Sequence, residues 1–172
     1  MTSRAATDSS RPARQRTGLF AQPPSRATLA RLGRYLGALA LLGVGVDHIE
    51  QYYVDFYSMI PTIGTLFVLN FASATLVTFG LVAPVERIAG RRAPAGLALL
   101  AIGGIGIAAG SLAGLLISEN GGLFGFMEQG YRGAIVISIA LEVATIILLG
   151  LFLAANGIGV HAGRRRIRRP VC

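Results

Sequence analysis

The residues of this chain that could do chemistry are few, and most lie in one stretch. Asp47 to Asn70 holds three of the eight carboxylates, one of the two histidines and three of the five tyrosines. Asp47, His48 and Glu50 share one or two spacings with metal-ligand sets, and Asp47 and Gln51 stand four apart. A metal needs three or four convergent ligands, and the spans offer one His and no Cys. A packed, hydrogen-bonded His48 is therefore preferred, and no metal or cofactor is expected. Haem between two axial histidines is disfavoured because His161 falls in a basic tail at the other face. No G-x-S-x-G, H-E-x-x-H or P-loop pattern occurs, so a non-enzymatic protein is expected.

The most informative single residue is Glu142, in the middle of a long apolar run. A carboxylate at the bilayer centre is costly, so it must be protonated or paired. It is either a proton or cation site, or interhelical glue bonded to Asn70 or Ser111. Arg132 has a local i, i+4 partner in Glu128. Cys172 is the lone cysteine, without a CaaX context, so no disulfide can form within the chain.

Composition decides what positions these residues. At 172 residues the chain is one domain at most. Hydrophobic residues make up 53% and charged ones 14%, against about 25% charged in soluble domains. Four long apolar segments carry the excess. The fold class is all-α, an integral membrane four-helix transmembrane bundle. All 16 basic residues are Arg, which removes lysine Schiff-base and lysine-base chemistry.

Residues 1–25 read as a disordered basic cytoplasmic tail, loose in Arg, Pro and Ser. Residues 26–157 read as the transmembrane domain, with spans at about 32–53, 60–84, 94–118 and 131–155. Residues 158–172 form a second basic cytoplasmic tail. Arg26, Arg31 and Arg34 are placed to snorkel toward headgroups. The apolar run Leu36–Val46 covers only about 16 Å, half the hydrocarbon thickness. The first span therefore borrows residues and carries Asp47 and His48 into the membrane.

At 100° per residue, Gly33, Gly37, Ala40, Val44, Asp47, His48, Gln51 and Asp55 share a face directed into the bundle, with Val46, Ile49 and Tyr53 opposite. Pro61 opens the second span, and Asn70 lies about 14 Å along it. Gly103, Gly106, Gly110 and Gly114 form one stripe on the third span, read as a helix-packing surface. Glu142 lies about 16 Å from Tyr131, at nearly the depth of Asn70. A shared polar pocket of Asp47, His48, Gln51, Asn70 and Glu142 is therefore expected between the first, second and fourth spans. Glu142 should face Asn70 as its floor and stay largely protonated, with Asp47 and His48 at the mouth.

Fifteen of the 16 arginines fall in the N-terminal segment up to Arg34, the second loop or the C-terminal tail, and five of the eight acids fall toward the other side. The positive-inside rule then places both termini in the cytoplasm of a multi-pass plasma-membrane protein.

Asp47-His48-Ile49-Glu50-Gln51-Tyr52, Ile60-Pro61-Thr62-Ile63-Gly64-Thr65-Leu66-Phe67, Leu123-Phe124-Gly125-Phe126 and Gly130-Tyr131-Arg132 resemble segments of small uncharacterised four-helix membrane proteins of high-GC Gram-positive (actinobacterial) type. The likeness covers about residues 32–155. It implies a plasma-membrane four-helix protein and no activity. A looser similarity to DoxX-like proteins is architectural.

The leading expectation is a structural or accessory membrane component. The alternative is a small proton-linked transporter or permeation element using Glu142, Asn70, His48 and Asp47. A metal or redox membrane enzyme ranks third. The expected partners are the lipid bilayer and a second copy or a larger membrane complex, with no nucleic acid.

Overall fold

The computed structural model describes residues 25–127 and 133–157. Both tails, and the segment 128–132 with Glu128 and Arg132, lie outside the described residues. The elements run α1 (Arg26–Val54), a 3-10 turn (Tyr57–Met59), α2 (Pro61–Val82), α3 (Val85–Ala89), a second 3-10 turn (Gly90–Arg92), α4 (Ala93–Gly121) and α5 (Gly133–Ala155). The described residues contain no strand, only an isolated bridge between Leu123 and Phe126. Among the described residues, four helices are long and apolar enough to cross a membrane. The protein is an all-α, integral membrane four-helix bundle.

The helix ends follow local chemistry. Ser25 caps α1, its hydroxyl accepting from the Thr28 N–H at 3.2 Å. The cap starts α1 about six residues before the span expected from 32. Pro61 occupies the first turn of α2, where its missing N–H costs nothing. Pro84 pushes Ala83 to ψ 150° and ends that helix. Between α1 and α2 the chain turns sharply through Phe56, at φ 60°. Gly64 closes that turn: a Cβ there would stand 2.8 Å from the Tyr57 carbonyl oxygen.

α1 is the organising helix, packed along α5 on one side and α2 on the other; α4 completes the ring against α5 and α2. Its buried residues include Gly33, Gly37, Ala40, Val44, His48 and Gln51, while Asp47 and Asp55 are half-buried. Val46 and Tyr53 are exposed.

The bundle has two unlike halves. Near the α2–α4 connection lies a solid core of Ala38, Leu41, Ala74, Leu81, Ala101, Leu149 and Phe152. There α2 and α4 meet closely, with Leu100 against Gly80 and Val77 beside Gly104. Toward the other end the same two helices line a cavity.

Two expectations need correction. Arg34 does not snorkel. It is buried, and its guanidinium donates to the carbonyls of Leu81 (2.6 Å) and Ala83 (2.9 Å) and pairs with Glu86. It thus satisfies carbonyls that the end of α2 leaves without helical partners. Glu86 is held below the usual carboxylate range, first by its own backbone N–H and then by Arg34. Its contribution to stability is present above the ordinary carboxylate range and lost as pH falls through the lowered value. Its side chain is 57% exposed, so solvent screens the pair and the carbonyl bonds matter more.

The glycine stripe on α4 is also not the close crossing within this chain. A Cβ at Gly103, Gly106 or Gly110 would meet nothing within 4 Å, and at Gly114 only the Leu123 side chain at 3.7 Å. Helical spacing marks a smooth face but does not say which helix covers it. The tight approach is elsewhere: a Cβ at Gly33 would lie 2.8 Å from the Leu148 carbonyl oxygen and 2.9 Å from the Phe152 nitrogen.

Backbone atoms cannot yield as side chains do. Gly33→Ala should therefore destabilise the protein by about 1–3 kcal/mol, the usual cost of overpacking. Gly103→Ala should be neutral or slightly stabilising, because Ala favours helix. Denaturation of the two variants in detergent checks this; equal stability would show that α1 and α5 do not cross at Gly33.

Candidate functional site

The cavity in the open half has a volume of about 370 Å³, within the roughly 300–1,000 Å³ range of ligand sites. α1 supplies His48 and Gln51, α2 supplies Phe67, Asn70 and Ser73, α4 supplies Gly106, Gly110 and Ser111, and α5 supplies Ser138 and Glu142. The third span thus forms a wall, which the expected three-helix pocket did not include. Leu66, Leu69, Gly106 and Gly110 line the cavity yet are exposed. Its opening therefore lies between α2 and α4, sideways toward lipid.

Two hydrogen-bonded groups flank the chamber. In the first, Gln51 Nε2 donates to Asp47 Oδ2 (2.7 Å) and to Ser138 Oγ (2.9 Å), and the Ser138 hydroxyl donates to Asp47 Oδ2. This ties α1 to α5. In the second, His48 Nδ1 lies 2.8 Å from the Val44 carbonyl oxygen, and Nε2 lies 2.8 Å from Ser111 Oγ. A carbonyl oxygen only accepts, so Nδ1 carries a proton. In a neutral ring Nε2 then accepts from the Ser111 hydroxyl. Ser111 also lies beside the Glu142 carboxyl, so its one hydroxyl proton can serve either the imidazole or the carboxylate. Glu142, Ser111 and His48 form a chain able to relay hydrogen bonds between α5, α4 and α1.

The floor is different. Glu142 is 1% exposed, yet its Oε2 has no hydrogen-bond partner, and neither has Asn70 Oδ1. Both residues line the cavity. Buried polar atoms are nearly always paired, because leaving one unpaired costs about 1–3 kcal/mol. Among the described residues Thr75 Oγ1 and Glu119 Oε1 are also unpaired but do not line the cavity, whereas Glu142 Oε2 and Asn70 Oδ1 belong to residues that line it from α5 and α2.

An aromatic cluster forms the remaining side. Tyr57 stacks on Phe67 at 4.7 Å between centroids, meets Phe126 edge-on at 5.6 Å, and Phe67 lies 4.9 Å from the His48 ring. Among the described residues, no three His, Cys, Asp or Glu side chains converge as a metal site. Of the site residues read from the sequence, His48, Gln51, Asn70 and Glu142 line the cavity directly, as do Gly106, Gly110 and Gly114. Asp47 acts behind Gln51 and Ser138, and Gly103 stands apart. Ser73 was not anticipated. Its hydroxyl bonds back to the Leu69 carbonyl at 2.7 Å, and a lone serine in a span gives no signal of which face it takes.

No family model, no curated protein and no solved structure matches this chain. The site's chemistry must be read from its own residues.

Paired and unpaired polar groups should respond oppositely to truncation. Ser138→Ala, which leaves Asp47 and Gln51 short of a partner, should cost about 1–3 kcal/mol. Asn70→Leu removes an unpartnered acceptor and should be neutral or stabilising, as is common where a side chain serves function rather than fold. Thermal unfolding in detergent distinguishes the two; a large loss from Asn70→Leu would mean that Asn70 is glue.

Proposed function

We propose that this protein binds a small solute in its intramembrane cavity in exchange with a proton on Glu142, as a small proton-linked transporter or permeation element. The observation that carries this reading is the pair of unpartnered buried oxygens, Glu142 Oε2 and Asn70 Oδ1, on two helices that line one cavity. Interhelical glue would use those oxygens up. The Ser111–His48 chain gives a proton on Glu142 a hydrogen-bonded neighbour to move toward.

Infrared spectroscopy of the reconstituted protein tests this. A carboxylic-acid carbonyl band should titrate with pH, shift promptly in D2O and vanish in Glu142→Gln. A Glu142 band that neither titrates nor shifts would mean a sealed carboxyl and would sink the reading.

One observation favours a second reading, a structural or accessory component. Gly103, Gly106 and Gly110 are exposed with nothing near them, so a helix of a second copy or another subunit could lie there. That reading leaves the Glu142 proton without exchange.

The orientation we propose is a plasma-membrane protein with both termini cytoplasmic. Its support is the gathering of Arg26, Arg31, Arg34, Arg87, Arg91 and Arg92 at the end of the bundle where Arg34 meets Glu86, with Asp47, Glu50, Asp55 and Glu119 toward the other. A reporter fused at Cys172 should work on the cytoplasmic side; activity only outside would reverse the topology.

A further inference from the structure

Resting on the reading of the cavity as a solute site, we propose that the solute is an apolar-bodied organic amine, bound as its ammonium ion from the membrane side. The unpartnered oxygens ask for donors. An alkyl- or arylammonium group supplies up to three, enough for Glu142 Oε2 and Asn70 Oδ1 together. It also neutralises an ionised Glu142, which a neutral alcohol cannot do.

Charge excludes the opposite class. Among the described lining residues there is no Arg or Lys, and the acid is Glu142. An anion would meet that carboxyl, with Asp47 behind it, and no fixed cation. The walls match the rest of such a ligand. Ile107, Leu115 and Ile135 are apolar. Tyr57, Phe67 and Phe126 line the same cavity, and aromatic rings attract a cation more strongly as water is removed. The sideways opening between α2 and α4 suits a compound that first partitions into the bilayer.

Proton and amine then compete for one carboxylate. The titratable groups facing Glu142 are His48 and Asp47 of α1; α2 and α4 present uncharged Asn70, Ser73 and Ser111. Binding of the amine releases a proton from Glu142, and acidification releases the amine.

The test uses 1-naphthylmethylamine, 1-naphthylmethanol and 1-naphthoate with the full chain in lipid nanodiscs. The chain has no Trp, so it adds no indole emission of its own to the naphthyl signal. We expect saturable binding of the amine above that of protein-free nanodiscs, weakening as pH falls. The alcohol should bind at least about tenfold more weakly, the loss that goes with one charge-assisted hydrogen bond, and the naphthoate not at all. Glu142→Gln should weaken amine binding by at least about tenfold, by the same reasoning.

Should Glu142→Gln fail to fold, Gly110→Leu serves instead. Its side chain starts in open space and fills the cavity, so it should fold and abolish amine binding. Equal binding of amine and alcohol, both lost in Gly110→Leu, would overturn the amine while keeping the solute site. No saturable binding of the amine would also overturn the amine; the infrared titration of Glu142 then decides separately whether the solute site stands. Amine binding unchanged in both variants would place the ligand elsewhere and overturn the proposal.

Discussion

A bilayer interior holds no water with which to satisfy a stray polar group. Every hydroxyl, amide and carboxyl carried into it must find a partner in the protein or remain at a cost. Among the described residues, four buried side-chain atoms find no partner: Asn70 Oδ1, Thr75 Oγ1, Glu119 Oε1 and Glu142 Oε2. Thr145 and Asn156 bond to carbonyls one turn back, Thr78 reaches across to the Ala38 carbonyl, and Asp47, Gln51 and Ser138 close on one another. Of the four unpaired atoms, Glu142 Oε2 and Asn70 Oδ1 are informative because their residues line the cavity.

The two halves of the bundle divide the work. At one end Leu41, Leu81 and Leu149 are fully buried, and Gly33 lets α1 approach the α5 backbone. Arg34 fastens the end of α2 and the start of α3 to α1. With that end fixed, α2 and α4 need not touch along their whole length, and their separation toward the other end makes room for the cavity. The glycines of α4 serve this arrangement by having no side chains: Gly106, Gly110 and Gly114 leave space where larger residues would fill it.

Much of the fold was legible in the sequence because membrane insertion leaves coarse signals. Apolar runs of the right length, Pro61 and Pro94 near helix starts, and Pro84 after a helix end mark the spans. The inward face of α1 could be read from the period of Gly33, Gly37, Val44 and His48. Residues whose meaning depends on a neighbour could not be read this way. Arg34 looks like any interfacial arginine until the free carbonyls of Leu81 and Ala83 are found beside it. The α4 stripe looks like a crossing until its surroundings prove open. Equal depth suggested that Asn70 and Glu142 belong together, but depth says nothing about whether their oxygens bond or face a common space. That distinction separates glue from a binding site.

Glu142 Oε2 has no protein partner, and a solute site requires that this carboxyl be reachable from the membrane. Dicyclohexylcarbodiimide, an apolar reagent that adds a protonated carboxyl and rearranges to a stable N-acylurea, tests it on the native protein in its bilayer. Mass spectrometry of the peptides should find the adduct on Glu142 ahead of the exposed Glu50. Modification of Glu50 with Glu142 left intact would contradict the claim.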